Sequence, residues 1–252
     1  MNETPQSVGL LFGSAAEQYE RYRAGYDDAV FATVADYAGR PLRTALEVGA
    51  GTGKATRLFA AHGVHVTALE PDPGMAALLA DTTRGLPVEL VLTSFESFES
   101  GAQFDLVYAA AAWHWTDPRT RWTRAVERLR PGGTLATFGR PYDLKDPDLF
   151  AAVDAVEREL VHDGDGAAGQ RWSTAQATAT DGLTEVTERV LTSEVTVPAV
   201  DFVARLSTVS AYLALSAEAR RRALDEVRAR LPERVLIDTT TRLLLARRTG
   251  SA

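Results

Sequence analysis

A carboxylate set ahead of three alternate glycines carries the first chemical signal in this chain: Glu47-Val48-Gly49-Ala50-Gly51-Thr52-Gly53-Lys54. A glycine-rich turn lets backbone approach a ligand closely and aims its N–H groups at it. A phosphate loop of the form GxxxxGK[ST] would need Gly at position 48 and Ser or Thr at 55, where the chain has Val48 and Ala55. A GxGxxG dinucleotide loop would need Gly at position 54, where Lys54 stands. What is present is acidic-x-G-x-G-x-G. Glu70 follows seventeen residues after Gly53, and an acidic side chain there can accept hydrogen bonds from both hydroxyls of a ribose. The third signal is Trp113-His114-Trp115. Two indoles flanking an imidazole can wall a site for a cationic group, and His114 has the side chain best suited to general base work near neutral pH. The alternative at this point is that Trp113 and Trp115 pack the start of a helix while His114 orients a loop.

These residues need elements to position them. From Thr44 to Gly139 short apolar runs alternate with helical patterns. Strands are predicted at Thr44–Val48, Val64–Leu69, Val88–Leu92, Phe104–Tyr108 and Thr134–Phe138, each bounded by Gly, Pro or Asp as buried parallel strands should be. Helices are predicted at Lys54–His62, which Gly63 can end, and at Pro73–Asp81, with Asp72 as N-cap and Pro73 at the first helical position. A further helix covers Arg119–Arg130 and stops before Pro131-Gly132-Gly133. This alternation implies right-handed βαβ crossovers and a parallel sheet. The flanks read differently: helices at Ala15–Arg23 and Asp28–Ala38, a helix at Pro147–His162, β-rich sequence over Thr184–Val197, helices at Asp201–Leu215 and Ala217–Arg230, and one long closing strand at Arg234–Arg247. No repeat or low-complexity linker separates these parts, so a single domain is expected over residues 1–252.

Composition narrows the classes. The chain has 252 residues, 27 basic and 34 acidic side chains, and a formal net charge of −7. It contains no cysteine, which excludes disulfides, iron–sulfur clusters and thiolate zinc sites and suits the cytoplasm. His62, His65, His114 and His162 form no HExxH-type pair, so no metal is expected. No run approaches the ~20 apolar residues of a membrane span. Met1 to Gly9 lacks the basic and apolar regions of a secretory leader. The acidic balance argues against broad nucleic-acid binding. Arg220-Arg221-Arg222 shares its helix with Glu218, Asp225 and Glu226, as a solvated face does.

At these residues the chain resembles the class I methyltransferases that use S-adenosylmethionine (SAM). The glycine loop, Glu70 with Pro71-Asp72-Pro73-Gly74-Met75, Thr93-Ser94-Phe95-Glu96, Phe104–Tyr108 leading to Trp113-His114-Trp115, and Leu129-Arg130-Pro131-Gly132-Gly133 come in the family's order at successive strand ends. The resemblance implies a Rossmann-like, mostly parallel seven-stranded α/β sheet. It would have N-terminal lid helices over residues 14–43, a SAM-binding core over 44–140, and substrate-side helices and closing strands over 141–252. A helical insertion is expected at about 199–230, before the last strand.

The same resemblance implies roles for single residues. Glu47 would meet the ammonium group of SAM, directly or through water, with Gly49, Ala50 and Gly51 beneath its amino-acid part. Glu70 would hold the ribose. Pro71, Met75, Ser94, Phe95, Glu96 and Ala110 complete the cofactor contacts, Met75 and the Ser94–Glu96 turn lying by the adenine. Tyr19-Glu20-Arg21-Tyr22-Arg23-Ala24-Gly25-Tyr26 is similar to a Tyr-x-x-Tyr-Arg-Pro-Gly-Tyr-Pro lid, with Ala24 and Asp27 where the pattern has proline. Tyr19 and Arg23 would approach the cofactor's carboxylate. Tyr22, Tyr26, Arg140 and Trp172 are the substrate-side candidates, and an Arg can bind a carboxylate bidentately. The implied activity is methyl transfer from SAM to a small-molecule acceptor, with oxygen favoured over nitrogen or carbon and S-adenosylhomocysteine (SAH) as product. A SAM-dependent rearrangement or cyclisation is the alternative. Neither nucleic acid nor membrane is expected as a partner, and the residues contain no statement about oligomeric state.

Overall fold

The computed structural model describes residues 12–161 and 173–250. The expectations for His162 and Trp172 fall outside them. The first half of the chain forms α1 (Ala16–Tyr22), α2 (Asp28–Ala38), β1 (Thr44–Val48), α3 (Lys54–Ala61), β2 (His65–Leu69), α4 (Pro73–Thr82) and β3 (Val88–Val91). β4 (Phe104–Ala110), α5 (Arg121–Arg128), β5 (Leu129–Gly139), α6 (Pro147–Val156), α7 (Thr174–Thr178) and β6 (Leu183–Leu191) follow. The chain continues with β7 (Glu194–Pro198), α8 (Ala199–Leu206), α9 (Ser210–Leu213), α10 (Ala217–Ala229), β8 (Arg234–Asp238) and β9 (Thr241–Arg248). Among the described residues these elements assemble into two compact units. One comprises residues 25–139, 173–191 and 241–250, the other residues 12–24, 140–161 and 192–240.

The first unit is built on a seven-stranded sheet in the order β3-β2-β1-β4-β5-β9-β6. β1 to β5 are parallel, and β9 runs antiparallel between β5 and β6. This is the mostly parallel Rossmann-like α/β sheet that the resemblance implies, and its five parallel strands are those that the alternation of runs predicts. Its central strands β1, β4, β5 and β9 are largely buried because both faces are covered, whereas the edge strands β3 and β6 are not. Ala45, Leu106, Tyr108 and Phe138 face one apolar cluster with Val34 and Phe59, while Leu46, Val107 and Leu135 face another with Trp113 and Trp122. β1 is central, flanked in parallel by β2 and β4, with Glu47 opposite Ala68 on one side and Tyr108 on the other. α4 begins as its residues dictate. Asp72 Oδ1 accepts from the Gly74 and Met75 amides at 2.7 and 3.0 Å, and Pro73 occupies the first turn.

The second unit pairs β7 with β8 in a two-stranded antiparallel ladder from Glu194↔Asp238 to Pro198↔Arg234. Leu144, Val153, Phe202, Tyr212, Val227 and Ile237 form its core. The Arg23 side chain, at the end of α1, donates from Nε to Thr208 Oγ1 at 2.9 Å and from Nη2 to Thr208 O at 3.0 Å.

Several boundaries differ from expectation; the helix predicted over Arg119–Arg130, for one, spans only Arg121–Arg128, because Leu129 and Arg130 join β5. The predicted closing strand Arg234–Arg247 is two strands in two sheets. Asp238 Oδ1 accepts from the Thr240 amide at 2.8 Å, turning the chain between them. β8 alternates buried and exposed positions, whereas β9 is buried almost throughout, as a half-buried ribbon and a central strand respectively require. The helix predicted over Asp201–Leu215 is also split, into α8 and α9. Thr208 lies between them, its hydroxyl bonded back to Arg205 O at 2.7 Å. Finally, the strand expected at Thr134 starts five residues earlier, at Leu129, which pairs with Phe104.

Asp105 clamps the start of this sheet. Its Oδ2 accepts from the Arg43 and Thr44 amides, each at 3.0 Å, and its Oδ1 takes Arg130 Nη1 at 2.8 Å. Burial alone would raise its pKa, but Arg130 and the two amides outweigh that and hold it below the ordinary carboxylate range. A depressed carboxylate stabilises the fold above its unfolded pKa of about 3.9 and loses that contribution as pH falls through the folded value. Asp105→Asn should therefore cost about 1.5–3 kcal/mol in urea unfolding at pH 7. The difference from wild type should shrink steadily below pH 4; an equal difference at pH 7 and pH 3 would contradict this origin.

Candidate cofactor site

The glycine loop leaves the carboxyl end of β1, where open parallel sheets bind ligands. Gly49, Gly51 and Gly53 all take left-handed backbone, with φ of 68°, 58° and 86°, a region glycine enters without steric cost. Their surroundings assign them different tasks. A Cβ on Gly49 would stand 2.6 Å from Ala112 Cβ, and one on Gly53 would stand 2.6 Å from Leu79 Cδ1. Those two glycines permit close packing against neighbouring elements. A Cβ on Gly51 would meet nothing within 4 Å among the described residues, so its backbone faces open space there. Ala50 closes the loop onto β2 through its amide and Leu69 O, 2.9 Å.

Two carboxyl groups organise the loop. Glu70, only 6% exposed, accepts from the Gly51 amide on Oε2 at 2.7 Å and from the Asp72 amide on Oε1 at 2.9 Å. Burial raises its pKa and the two amides oppose that. Each carboxylate oxygen has a second lone pair, so two further donors, such as a pair of ribose hydroxyls, can be taken up. Glu47 is buried to 1% exposure. Its Oε2 accepts from the Thr56 hydroxyl at 2.5 Å and the Tyr108 hydroxyl at 2.9 Å. Its Oε1 is buried with no hydrogen-bond partner among the described residues. Burial pushes the Glu47 pKa up to about 8 against the two hydroxyls that lower it. A buried acceptor with no donor is costly, and a ligand ammonium would supply that donor. On these two observations, the open face at Gly51 and the unsatisfied Glu47 oxygen, the residues present fit the amino-acid and ribose parts of SAM.

Thr56 and Tyr108 were not singled out in the sequence. Thr56 is reached because α3 lies beside β1, and Tyr108 because it stands opposite Glu47 in the β1–β4 register. Its ring is stacked on Phe59 at 4.4 Å between centroids.

The remaining candidates of this unit are spread along its strand ends. Met75 is buried in the first turn of α4, and Pro71 is exposed. Ser94 makes a local turn, accepting from the Ser97 amide at 3.2 Å. Phe95 is buried with Arg124 over its ring, and Glu96 Oε1 accepts from the Asp117 amide at 2.8 Å. Ala110 ends β4, half-buried. The next residue, Ala111, adopts a left-handed φ of 55°, uncommon for a residue with a Cβ. Trp113-His114-Trp115 then forms a 3-10 turn.

Here the expected aromatic wall divides. Trp113 is a core residue, 1% exposed and edge-on to Trp122 at 5.0 Å, and its carbonyl takes Arg121 Nη1 at 3.1 Å. Its indole is spent on packing. His114 and Trp115 are only half-buried, and their rings lie 4.6 Å apart. Tyr26 sits edge-on to Phe138 at 4.9 Å.

Four candidates belong to the second unit. The Arg23 guanidinium, held by Thr208, also lies over the Tyr19 ring at 4.5 Å, and Arg21 lies over Tyr22 at 5.3 Å. Arg140 is half-buried. Trp172 is outside the described residues. Among the described residues no cluster of three or more His, Asp or Glu could hold a metal ion, and no helix is long and apolar enough to cross a membrane.

Residues 46–137, from within β1 to within β5, match the methyltransferase-domain family. Over this stretch the chain is similar to methyltransferase domains. The match begins one residue before Glu47 and takes in the glycine loop, Glu70 and the Trp113–Trp115 turn. An uncharacterized methyltransferase of Mycobacterium bovis is 36% identical over 132 residues, 52% of each chain. Malonyl-[acyl-carrier protein] O-methyltransferase of Salmonella typhimurium is 29% identical over 154 residues, 60% of each chain. The chain spans about half the length of the curated relatives it matches. In fold, the chain is similar to a protein of Anaeromyxobacter dehalogenans provisionally named a type II methyltransferase. The TM-score is 0.67 at 24% identity, covering 91% of this chain and 99% of that one.

The glycine assignments can be separated by experiment. Gly51→Ala should leave the thermal midpoint within a few degrees yet weaken SAH binding at least tenfold, because its new methyl group occupies the open face of the loop. Gly53→Ala should lower the midpoint instead, since the clash with Leu79 loosens α3 from α4. Calorimetric titration beside thermal melts distinguishes the two, and equal effects in both variants would contradict the division of tasks.

Proposed function

We propose that this chain catalyses methyl transfer from SAM to an oxygen of a small-molecule acceptor, with SAH as product. The observation that carries this reading is the loop itself: an unsatisfied, buried Glu47 oxygen and an amide-fixed Glu70 flank a glycine whose backbone faces open space. SAM, when bound, supplies the methyl group as an electrophile on its sulfonium. The protein's share is then to bind, orient and exclude water, which is where positioning contributes most to a displacement reaction. Glu47 is assigned to the cofactor's ammonium and Glu70 to its ribose. Gly49, Ala50 and Gly51 lie beneath the amino-acid part, with Pro71, Met75, Ser94, Phe95, Glu96 and Ala110 around the adenine and its approaches. The name of the Salmonella relative supports oxygen, and a carboxylate oxygen in particular, as acceptor. The absence of cysteine suits a cytoplasmic setting for a reaction that needs no thiol.

His114 distinguishes acceptor types. A carboxylate is already ionised at neutral pH and needs no base, whereas a phenol or alcohol must lose a proton. Transfer of labelled methyl from SAM should be measured across a panel of acids, phenols and amines. Acids or phenols should be labelled, and exclusive labelling of amines would overturn the oxygen assignment. For an acid acceptor, His114→Ala should keep kcat within a few-fold; for a phenol it should lower kcat by about 10²–10⁴.

A further inference from the structure

The Glu47 carboxyl has a peculiar set of neighbours. On β1 it is buried to 1% exposure. Both inward-facing donors, Thr56 from α3 and Tyr108 from β4, are spent on a single oxygen, Oε2. Among the described residues, Oε1 has no hydrogen-bond partner. The groups acting on this carboxyl are Thr56, Tyr108 and, from the end of β2, Glu70; none is a cation, and Glu70 opposes a second negative charge. Tyr108 keeps its own proton, since burial and the nearby Glu47 push its pKa well upward. Burying an ionised carboxylate without a counter-charge costs several kcal/mol, and groups so placed neutralise instead.

Resting on the cofactor reading above, we propose that Thr56 and Tyr108 are positioning residues that hold Glu47 as a neutral acid with Oε1 reserved for the ligand, and that docking of the ligand's ammonium group ionises Glu47 and releases its proton to solvent. The step balances. The Oε1–H bond breaks, the proton leaves to buffer, and the carboxylate electron pair accepts an N–H of the ammonium, which stays protonated. The upward-shifted pKa of Glu47 agrees with this geometry. Ligand binding and proton release are then linked, and affinity for an ammonium-bearing ligand rises with pH until Glu47 ionises unaided.

The test is calorimetric titration of the full chain with SAH at pH 7 in buffers of different ionisation enthalpy. A parallel titration uses 5′-methylthioadenosine, which keeps the adenosine and thioether but lacks the amino-acid part. SAH should release close to one proton per molecule bound, with affinity rising nearly tenfold from pH 6 to pH 7. 5′-Methylthioadenosine should release none. This contrast is made on the wild-type protein, so it does not depend on any variant folding. In Glu47→Gln proton release on SAH binding should vanish. Tyr108→Phe, which keeps the stacked ring, should weaken SAH binding by about tenfold or more and move the pH of half-release upward. Thr56→Ser should restore the wild-type pH profile that Thr56→Val loses. Binding of both ligands without proton exchange would overturn the inference and leave the cofactor reading standing. Equal release with both ligands, or undiminished release in Glu47→Gln, would also overturn it. Absence of binding by either ligand would overturn the cofactor reading itself.

Discussion

The hydrogen bonds converging on Glu47 are the constraint to which the rest of the site is fitted. A carboxyl excluded from water at the centre of a sheet is tolerated only where donors are fixed in advance. Two hydroxyls meet that need, and each comes from a different layer. Thr56 requires α3 to lie against β1, and Tyr108 requires β4 to pair with β1 in a register that sets residue 108 opposite residue 47. A shift of one residue in that register would turn Tyr108 to the opposite face of the sheet. The network thus ties crossover helix, central strand and neighbouring strand to one atom.

Around this anchor the loop uses glycine in two distinct ways. At positions 49 and 53 the missing side chain allows Ala112 and Leu79 to approach, which holds α3 and the turn after β4 close to the strand ends. At position 51 the missing side chain leaves room beyond the protein surface, and the amide of that same residue is fixed by Glu70. Packing and recognition are therefore interleaved residue by residue along one short turn. The fold does not by itself determine the chemistry performed there; the donors and acceptors at the strand ends do.

Much of this was legible in the sequence because it is written locally. The cap of α4 is present in Asp72-Pro73, and the first four strands are marked by apolar runs between Gly, Pro and Asp. Glu47 and Glu70 stand out by their spacing from the glycines. Thr56 and Tyr108 do not, because Thr56 meets Glu47 only through the packing of α3 on β1, and Tyr108 only through pairing of strands 61 residues apart. Trp113 shows the opposite difficulty. Two tryptophans beside a histidine read as a surface for recognition, yet Trp113 is claimed by Trp122 and Phe95 in the core. The division of the closing strand was hidden as well. Val235 to Ala246 is an almost continuous β-prone stretch, and only the Asp238 side chain, bonded to the Thr240 amide, marks where one sheet ends and another begins.

The placement of β9 has a consequence for how the chain is made. Among the described residues β5 pairs directly with β9, and β6 pairs with β9 alone. As the polypeptide emerges from the ribosome, β5 therefore waits with an open edge while the whole of residues 140–240 is synthesised. Within that interval β7 and β8 can close their own ladder, since both partners are already out. β6 stays without a neighbour until β9 slides between it and β5. Unpaired strand edges are the sites at which nascent chains aggregate. Completion of the large sheet is thus a late, long-range step, and chaperone demand should fall on β5 and β6.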